Sequence, residues 1–306
     1  MREKKLKNKR VIIFYDSDLD GITSASLVRR AQGNATYKYV LQKQSEPFPK
    51  VVGDKAYIVD VPLNQKTIGS LQNIHVSKIV WIDHHEPEVD VQSLPANLEL
   101  RLNSSSPSAV LLVQKYFGLN DEISKKITEL GTKADTWKID SEVQEWIDLL
   151  DMYLYNYKSN SWRWRFIRKL AEGHFEIKGS LKRKLEEFKK IKENEIHFLL
   201  EHTVVREVKG HLVAIGLAHP IPNASESADV LLKNTNSEIQ IVIKTGGFIS
   251  FRRSPTSQVN LRQLAQLFGG GGHEKSAGGR LGREVSPEDF MKVAEEIFKK
   301  ISGVLP

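Results

Sequence analysis

The sequence predicts an α/β protein with a parallel-sheet domain, a helical connector and a smaller mixed α/β domain. Three observations predict it. In the first half, short apolar runs of strand length end in acidic or imidazole side chains. The middle of the chain keeps a helical spacing of apolar residues, and after Thr203 hairpin signals built around Gly take over. The boundaries that follow are 1–155, 156–200 and 201–306.

Val11-Ile12-Ile13-Phe14-Tyr15 reads as a buried strand, and Thr23 to Arg30 as the helix after it. Between them stands Asp16-Ser17-Asp18-Leu19-Asp20-Gly21. Three carboxylates on alternating residues need a cation, and the carboxyl end of a strand is where open α/β sheets place ligands. An EF-hand loop is rejected, because it follows a helix and carries a bidentate Glu at its twelfth position, which here is Leu27. A phosphatase with an aspartyl nucleophile would leave Asp83-His84-His85 without a role. A solvated acidic turn is the bland alternative for the hexapeptide alone.

Ala35 to Leu41 is a second strand, Ala56 to Pro62 a third, its apolar run ending in the lone carboxylate of Asp60, and Lys78 to Ile82 a fourth ending in Asp83-His84-His85. Strand ends of a parallel sheet converge on one crevice, so three of these strands deliver ligand-type residues to it. Asn64 to Leu71 and Ser108 to Phe117 have helical spacing, the second opening on Ser106-Pro107 as cap and first-turn proline. Glu122 to Leu130 is a further helix leading into Gly131-Thr132-Lys133-Ala134-Asp135, where Asp135 taken alone reads as a cap or turn acid.

Residues 141 to about 200 are helical in pattern, with Ser180 to Leu200 as a charged connector helix. Trp162-Arg163-Trp164-Arg165-Phe166 has two readings: a base-stacking, phosphate-contacting face, or a helix that packs Trp162 and Phe166 into the core. Beyond Thr203, Lys209-Gly210 and Thr245-Gly246-Gly247 centre two hairpins. Helices are expected at Ala228 to Leu232, at Leu261 to Phe268 capped by Asn260, and from Ser286-Pro287-Glu288-Asp289 to Ile301. Gly269-Gly270-Gly271-Gly272-His273-Glu274-Lys275-Ser276 is not a P-loop, since it follows a helix and has Glu274 in place of an essential glycine. Its glycines would still let backbone amides approach a phosphate, with His273 as a donor; a flexible linker is the bland reading.

Composition narrows the chemistry. With no cysteine among 306 residues, disulfides, thiolate ligands and a cysteine nucleophile are excluded. Any metal is held by Asp, Glu and His, a donor set that favours Mn²⁺ or Mg²⁺. The net charge of +7 points to a polyanionic partner as readily as to plain solubility. No apolar run approaches a membrane span, and the basic start Met1 to Arg10 lacks a signal-peptide core, so a cytoplasmic location without membrane attachment is expected.

Together these residues resemble the DHH phosphoesterase superfamily, in its RecJ-like and nanoRNase-like branch with a DHHA1-type C-terminal domain. Asp16 to Ala25 is similar to the first motif of RecJ-like nucleases, Asp60 to the single-acid second motif, Asp83-His84-His85 to the name-giving triplet and Gly131 to Asp135 to the fourth motif. Gly270 to Gly278 resembles the GGGHxxAAG signature with Ser276 for its first alanine, and Ser250 to Ser254 the serine–arginine strand before it. The resemblance implies two Mn²⁺ ions, with Mg²⁺ as substitute. Asp16, Asp18 and Asp60 would hold one, and Asp20, Asp60, His84 and Asp135 the other. It implies catalytic roles for His85 and Asp83, and substrate binding by Gly270, Gly271, Gly272, His273 and either Arg252 or Arg253.

The implied activity is a phosphodiesterase, an exonuclease on single-stranded DNA or RNA or on short oligonucleotides, working by two-metal-activated hydroxide attack. The enzymatic alternative is a nanoRNase that also dephosphorylates 3′-phosphoadenosine 5′-phosphate. The non-enzymatic alternative is a nucleic-acid-binding accessory protein on a decayed scaffold, which would have lost ligands that are all present here. Homo-oligomerisation is compatible with the pattern.

Overall fold

A computed structural model describes residues 9–43, 46–87, 89, 94–156 and 162–306. The chain divides into two compact units, Met1–Ile177 and Lys178–Pro306. Residues 1–8 of the basic start and residues 157–161 of the helical stretch lie outside the described residues. Among those described, no helix is long and apolar enough to cross a membrane.

In the first unit the elements run β1 (Arg10–Tyr15), α1 (Leu19–Gln32), β2 (Thr36–Leu41), β3 (Val51–Val52), β4 (Lys55–Val59), α2 (Gln65–Gly69), β5 (Ile74–His75), β6 (Lys78–Asp83), β7 (Leu98–Leu102), α3 (Ala109–Phe117), α4 (Glu122–Asp135), α5 (Ser141–Asn156) and α6 (Arg163–Ala171). Strands β2-β1-β4-β6-β7 form a parallel sheet in that order, and β3 pairs with β5 beside it. The three central strands read as continuous apolar runs because both of their faces are buried. Ile12, Phe14, Ile58, Ile79 and Trp81 pack with Phe48 and Leu71 in one core. The Trp81 indole, fully buried, donates to the Val61 carbonyl at 2.8 Å. Strand β7, with an exposed Arg101 in a short LELRL run at the sheet edge, carries too weak a pattern to be anticipated from the sequence.

The sheet order reverses direction between β1 and β4, since β1 leads outward to β2 on one side and β4 lies on the other. Such a switch point leaves a crevice at the carboxyl ends of the two strands. Helix α1 starts at Leu19, four residues before the expected Thr23, because the Asp18 side chain caps it by accepting from the Gly21 N–H at 3.0 Å. Helix α3 is preceded by Ser108 rather than opened by Pro107, and Ser106 instead donates through Oγ to the Ser108 carbonyl. Helix α4 continues through Asp135, so the acid expected at a turn is a last-turn helical residue.

Gly131 explains how α4 reaches the site. A Cβ there would lie 2.1 Å from Thr23 Oγ1 and 2.9 Å from Val110 Cγ1, so bare backbone is what lets α4 close on α1 and α3.

The second unit contains α7 (Ser180–Glu201), β8 (Thr203–Val208), β9 (His211–Ala218), α8 (Ala224–Thr235), β10 (Ile239–Lys244), β11 (Phe248–Arg253), α9 (Leu261–Gln266), β12 (Gly271–His273), β13 (Ser276–Arg280) and α10 (Phe290–Ser302). Its sheet order is β12-β13-β11-β10-β9-β8, parallel only between β9 and β10. Helix α7 packs on β9 and α8. Both expected hairpins form, the first turning at Lys209 and Gly210 with positive φ of 50° and 83°, the geometry of a type I′ turn. The glycine run is a hairpin too, β12 to β13, and not a linker. Helix α8 extends well beyond Ala228 to Leu232, and the last helix begins after Asp289, with Ser286 and Asp289 closing a turn ahead of it.

Gly131→Ala should destabilise the first unit by about 1–3 kcal/mol, the usual cost of overpacking, despite alanine's better helix propensity. Chemical denaturation checks this, and an unchanged or raised midpoint would refute the close-approach role.

Candidate metal centre

The site is assembled at the carboxyl ends of β1, β4 and β6 and the last turn of α4. Behind β1, Asp16 accepts from the Ser17 N–H at 2.5 Å through Oδ1, and Asp18 spends Oδ1 on the α1 cap. The loop turns tightly because residue 21 is glycine; a Cβ there would fall 2.4 Å from the Asp16 carbonyl oxygen. Asp20, in the first turn of α1, accepts from the backbone N–H groups of Ala109 at 2.7 Å and Val110 at 2.9 Å. Those are orphan donors at the α3 N-terminus, where the helix dipole favours a carboxylate. Asp60 stands directly after β4 with φ of 55°, an uncommon left-handed conformation for a residue with a side chain.

After β6, Asp83 is fully buried and binds His85 Nδ1 at 2.7 Å. His84 Nδ1 donates to the Ser106 carbonyl at 3.4 Å. That contact aims Nε2 at the acids: 3.7 Å to Asp60 Oδ1, 3.7 Å to Asp135 Oδ2 and 4.0 Å to Asp20 Oδ2. Two donor groups result, Asp20 with His84 and Asp135, and Asp60 with Asp83, His84 and His85. Asp16 and Asp18 sit on the adjoining loop outside both groups but within electrostatic reach of Asp60.

Charge is concentrated here beyond what burial tolerates. Burial, followed by the Asp135 and Asp18 carboxylates, pushes the Asp20 carboxyl up to about 7, against the pull of His84 and the Val110 N–H. Burial and then Asp20, Asp18, Asp83 and Asp16 hold the Asp60 carboxyl well above the ordinary range. Burial favours the neutral ring at His85, but the Asp83 carboxylate and its hydrogen bond outweigh it and raise the imidazole to about 9. The Asp60 Oδ2 atom is buried and accepts no hydrogen bond among the described residues. A buried carboxylate oxygen without a donor, among other acids, is the environment that a divalent cation satisfies.

Sequence reasoning singled out the acids and imidazoles but missed two supports. The α3 N-terminus that receives Asp20 lies some 90 residues away in sequence, and no local pattern announces it. Arg163 is the other. It is 1% exposed, sits under the Trp162 ring at 4.3 Å and feels the Tyr15 and Asp16 oxygens. The alternation of aromatic and basic residues pointed at the segment, and the packing reading holds for Trp162 and Phe166, which are buried together. Trp164, with Arg165 and Arg168 beside its ring, stays at the surface.

In the second unit, His273, Ser276 and Arg252 occupy one row across β12, β13 and β11. Arg252 donates to Ser225 Oγ in the first turn of α8 at 2.9 Å. Arg253 belongs to the opposite face and donates to the Val259 carbonyl at 2.7 Å. Gly270 and Gly272 are glycine for packing, since a Cβ would fall 1.9 Å from the Gly278 carbonyl oxygen and 2.7 Å from that of Ser276 respectively. Gly271 faces open space.

Residues 10–134 match the model of the DHH family, N-terminal domain. Among solved structures, the pGpG-specific phosphodiesterase PggH from Vibrio cholerae has a TM-score of 0.58 at 15% identity, covering 97% of this chain and 99% of its own. An exopolyphosphatase-related protein from Bacteroides fragilis has a TM-score of 0.56 at 15% identity over 97% and 93% of the two chains. RecJ in complex with Mn²⁺ from Thermus thermophilus has a TM-score of 0.61 at 15% identity over 98% of this chain but 53% of its own, so this chain spans about half of that protein. At such identities the likeness is one of fold. No curated protein sequence matches this chain.

The shifts fix a pH dependence for the metal-free protein. Asp20 holds its proton to about 7 in the folded state against 3.8 ordinarily, and His85 to about 9 against 6.5. The folded state therefore binds more protons between those values, and stability falls as pH rises from about 4 to about 9, by on the order of a few kcal/mol. Melting curves in chelator should show that decline, and Mn²⁺ at pH 8 should reverse it. A flat profile that Mn²⁺ does not shift would contradict the charge balance described.

Proposed function

Residues 10–134 form a DHH-family N-terminal domain, and from that premise we propose that the chain is a metal-dependent phosphodiesterase that hydrolyses single-stranded nucleic acid or short oligonucleotides. The observation that carries the proposal is the convergence of Asp20, Asp60 and Asp135 within 4.0 Å of His84 Nε2, with Asp60 Oδ2 buried and unbonded. In this reading Asp16, Asp18 and Asp60 would hold one Mn²⁺ or Mg²⁺, and Asp20, Asp60, His84 and Asp135 would hold a second. When bound, such ions supply Lewis acidity and neutralise charge that develops on a phosphoryl group.

The remaining steps fall to the chain's own groups. Asp83 fixes Nδ1 of His85 and favours the protonated ring, the form in which Nε2 can donate to a non-bridging phosphoryl oxygen. Water adds to phosphorus, the ester P–O bond breaks, and the departing oxygen takes up a proton as the water gives one up. The second unit acts as the DHHA1-type substrate-binding domain. There Arg252 and His273, on one face of the sheet, grip phosphate with the backbone of Gly270 to Gly272 behind them, whereas Arg253 is engaged on the opposite face.

The net charge of +7 supports a polyanionic substrate. The fold likeness to a phosphodiesterase named for pGpG spans nearly the full length of both chains, which favours the short-oligonucleotide end of the range, where the nanoRNase reading lies.

Asp60→Asn should cut turnover about a thousandfold or more, the rate equivalent of several kcal/mol of transition-state stabilisation, without loss of fold. The assay is a 5′-labelled single-stranded oligomer and a dinucleotide, each with Mn²⁺ and with chelator. A descending ladder marks attack from the 3′ end, and immediate labelled mononucleotide attack from the 5′ end. Cleavage of the dinucleotide alone selects the nanoRNase reading, and no cleavage with any metal returns the binding-protein reading.

A further inference from the structure

The sheet of the second unit is covered unequally on its two faces. Ile249, Phe251 and Ala277 enter the core beneath α9 and α10. Side chains alternate along a strand, so Phe248, Ser250, Arg252, Ser276, Gly278 and Arg280 belong to the other face. On that face α7 and α8 cover β9 and β10, with α8 reaching β11 at its first turn. The helix that packs closely on β12 and β13 is α9, and it lies on the core face.

Phe248 lies on this strip, 38% exposed. Its ring fills the space that a side chain at 278 would take, since a Cβ on Gly278 would lie 2.9 Å from Phe248 Cζ. Arg280 is opposite Phe248 in register and exposed. Arg252 is four residues along the same strand, about 13 Å away at the usual rise per residue, in the row it shares with Ser276 and His273. Gly271, where an added Cβ would meet nothing within 4 Å, opens the strip further. An exposed aromatic ring with Arg280 across from it in register, and with Arg252 and His273 farther along the same face, supplies the kinds of group that hold a base and its phosphate.

We infer that this strip is a nucleotide platform, on which Phe248 stacks against a nucleobase while Arg252 and His273 hold a phosphate of the same or the neighbouring nucleotide. Phe248 is then the specificity residue that makes the protein select nucleotidyl substrates over phosphate chains without bases. The inference rests on the phosphodiesterase reading for the phosphate grip. The competing role for the ring is cover for a bare glycine backbone, which contributes to stability alone.

The two roles separate in binding. The full chain is titrated, in Mn²⁺ and again in chelator, with a non-hydrolysable methylene-phosphonate diadenylate and with the same backbone lacking both bases. The base-bearing ligand should bind about tenfold tighter, as one stacked base contributes at an aromatic side chain. Phe248→Leu should reduce that ratio below about threefold, and Phe248→Trp should keep it. If Phe248→Leu melts early, Phe248→Met replaces it, covering Gly278 without a π face. Equal binding of both ligands, binding of neither, or an unchanged ratio in the Leu or Met variant overturns the platform. A base preference without cleavage of any phosphodiester defeats the hydrolase reading alone, whereas cleavage without base preference defeats only the platform.

Discussion

Mutual repulsion among buried carboxylates is the constraint on which the first unit depends. Asp20, Asp60 and Asp83 are 1%, 2% and 0% exposed and meet in one crevice, with Asp135 beside them. Burial of a charge costs several kcal/mol unless it is paired, so each acid needs its own partner. Asp20 has the α3 N-terminus, Asp83 has His85, and His84 sits among Asp20, Asp60 and Asp135. Asp60 Oδ2 has no hydrogen-bond partner among the described residues. The folded chain thus holds a deficit of positive charge at one point, which a divalent cation would satisfy.

The fold supplies the geometry that this arrangement requires. The switch between β1 and β4 opens the crevice, and glycines at 21 and 131 let backbone come close enough to bring the acids and imidazoles together there. The left-handed conformation of Asp60 is a local cost of about 1–3 kcal/mol, tolerated where the surrounding sheet leaves no other path. Helix α3 does two things at once. It packs against α1, and its first N–H groups hold the carboxylate of Asp20.

The second unit orders its side chains by a different route, through strand parity instead of strand ends. Residues one apart on β11 face opposite ways, so Arg252 joins His273 while Arg253 turns toward Val259. Tight packing of the glycine hairpin on β13 accounts for Gly270 and Gly272 without reference to any ligand. Gly271 has no such packing account, and Phe248, on the same face, packs its ring over Gly278 while staying partly exposed.

Local pattern was enough to identify the residues at the ends of β1, β4 and β6, because an apolar run followed by acids or imidazoles is legible in adjacent residues and parallel strands bring their ends together. The hairpins at Lys209-Gly210 and Thr245 to Gly247 were legible for the same reason, turn chemistry being a property of neighbours in the chain. The rest depends on packing between distant segments. Asp135 becomes a site residue only because α4 crosses α1 at Gly131, and Asp20 meets its cap across a long chain separation. The faces that Arg252 and Arg253 occupy depend on register, where a shift of one residue moves a side chain through the sheet, and Arg163 is buried by packing that its charged, helical surroundings give no sign of. Local propensity carries no information about contacts between distant segments, and those contacts set which charges face one another.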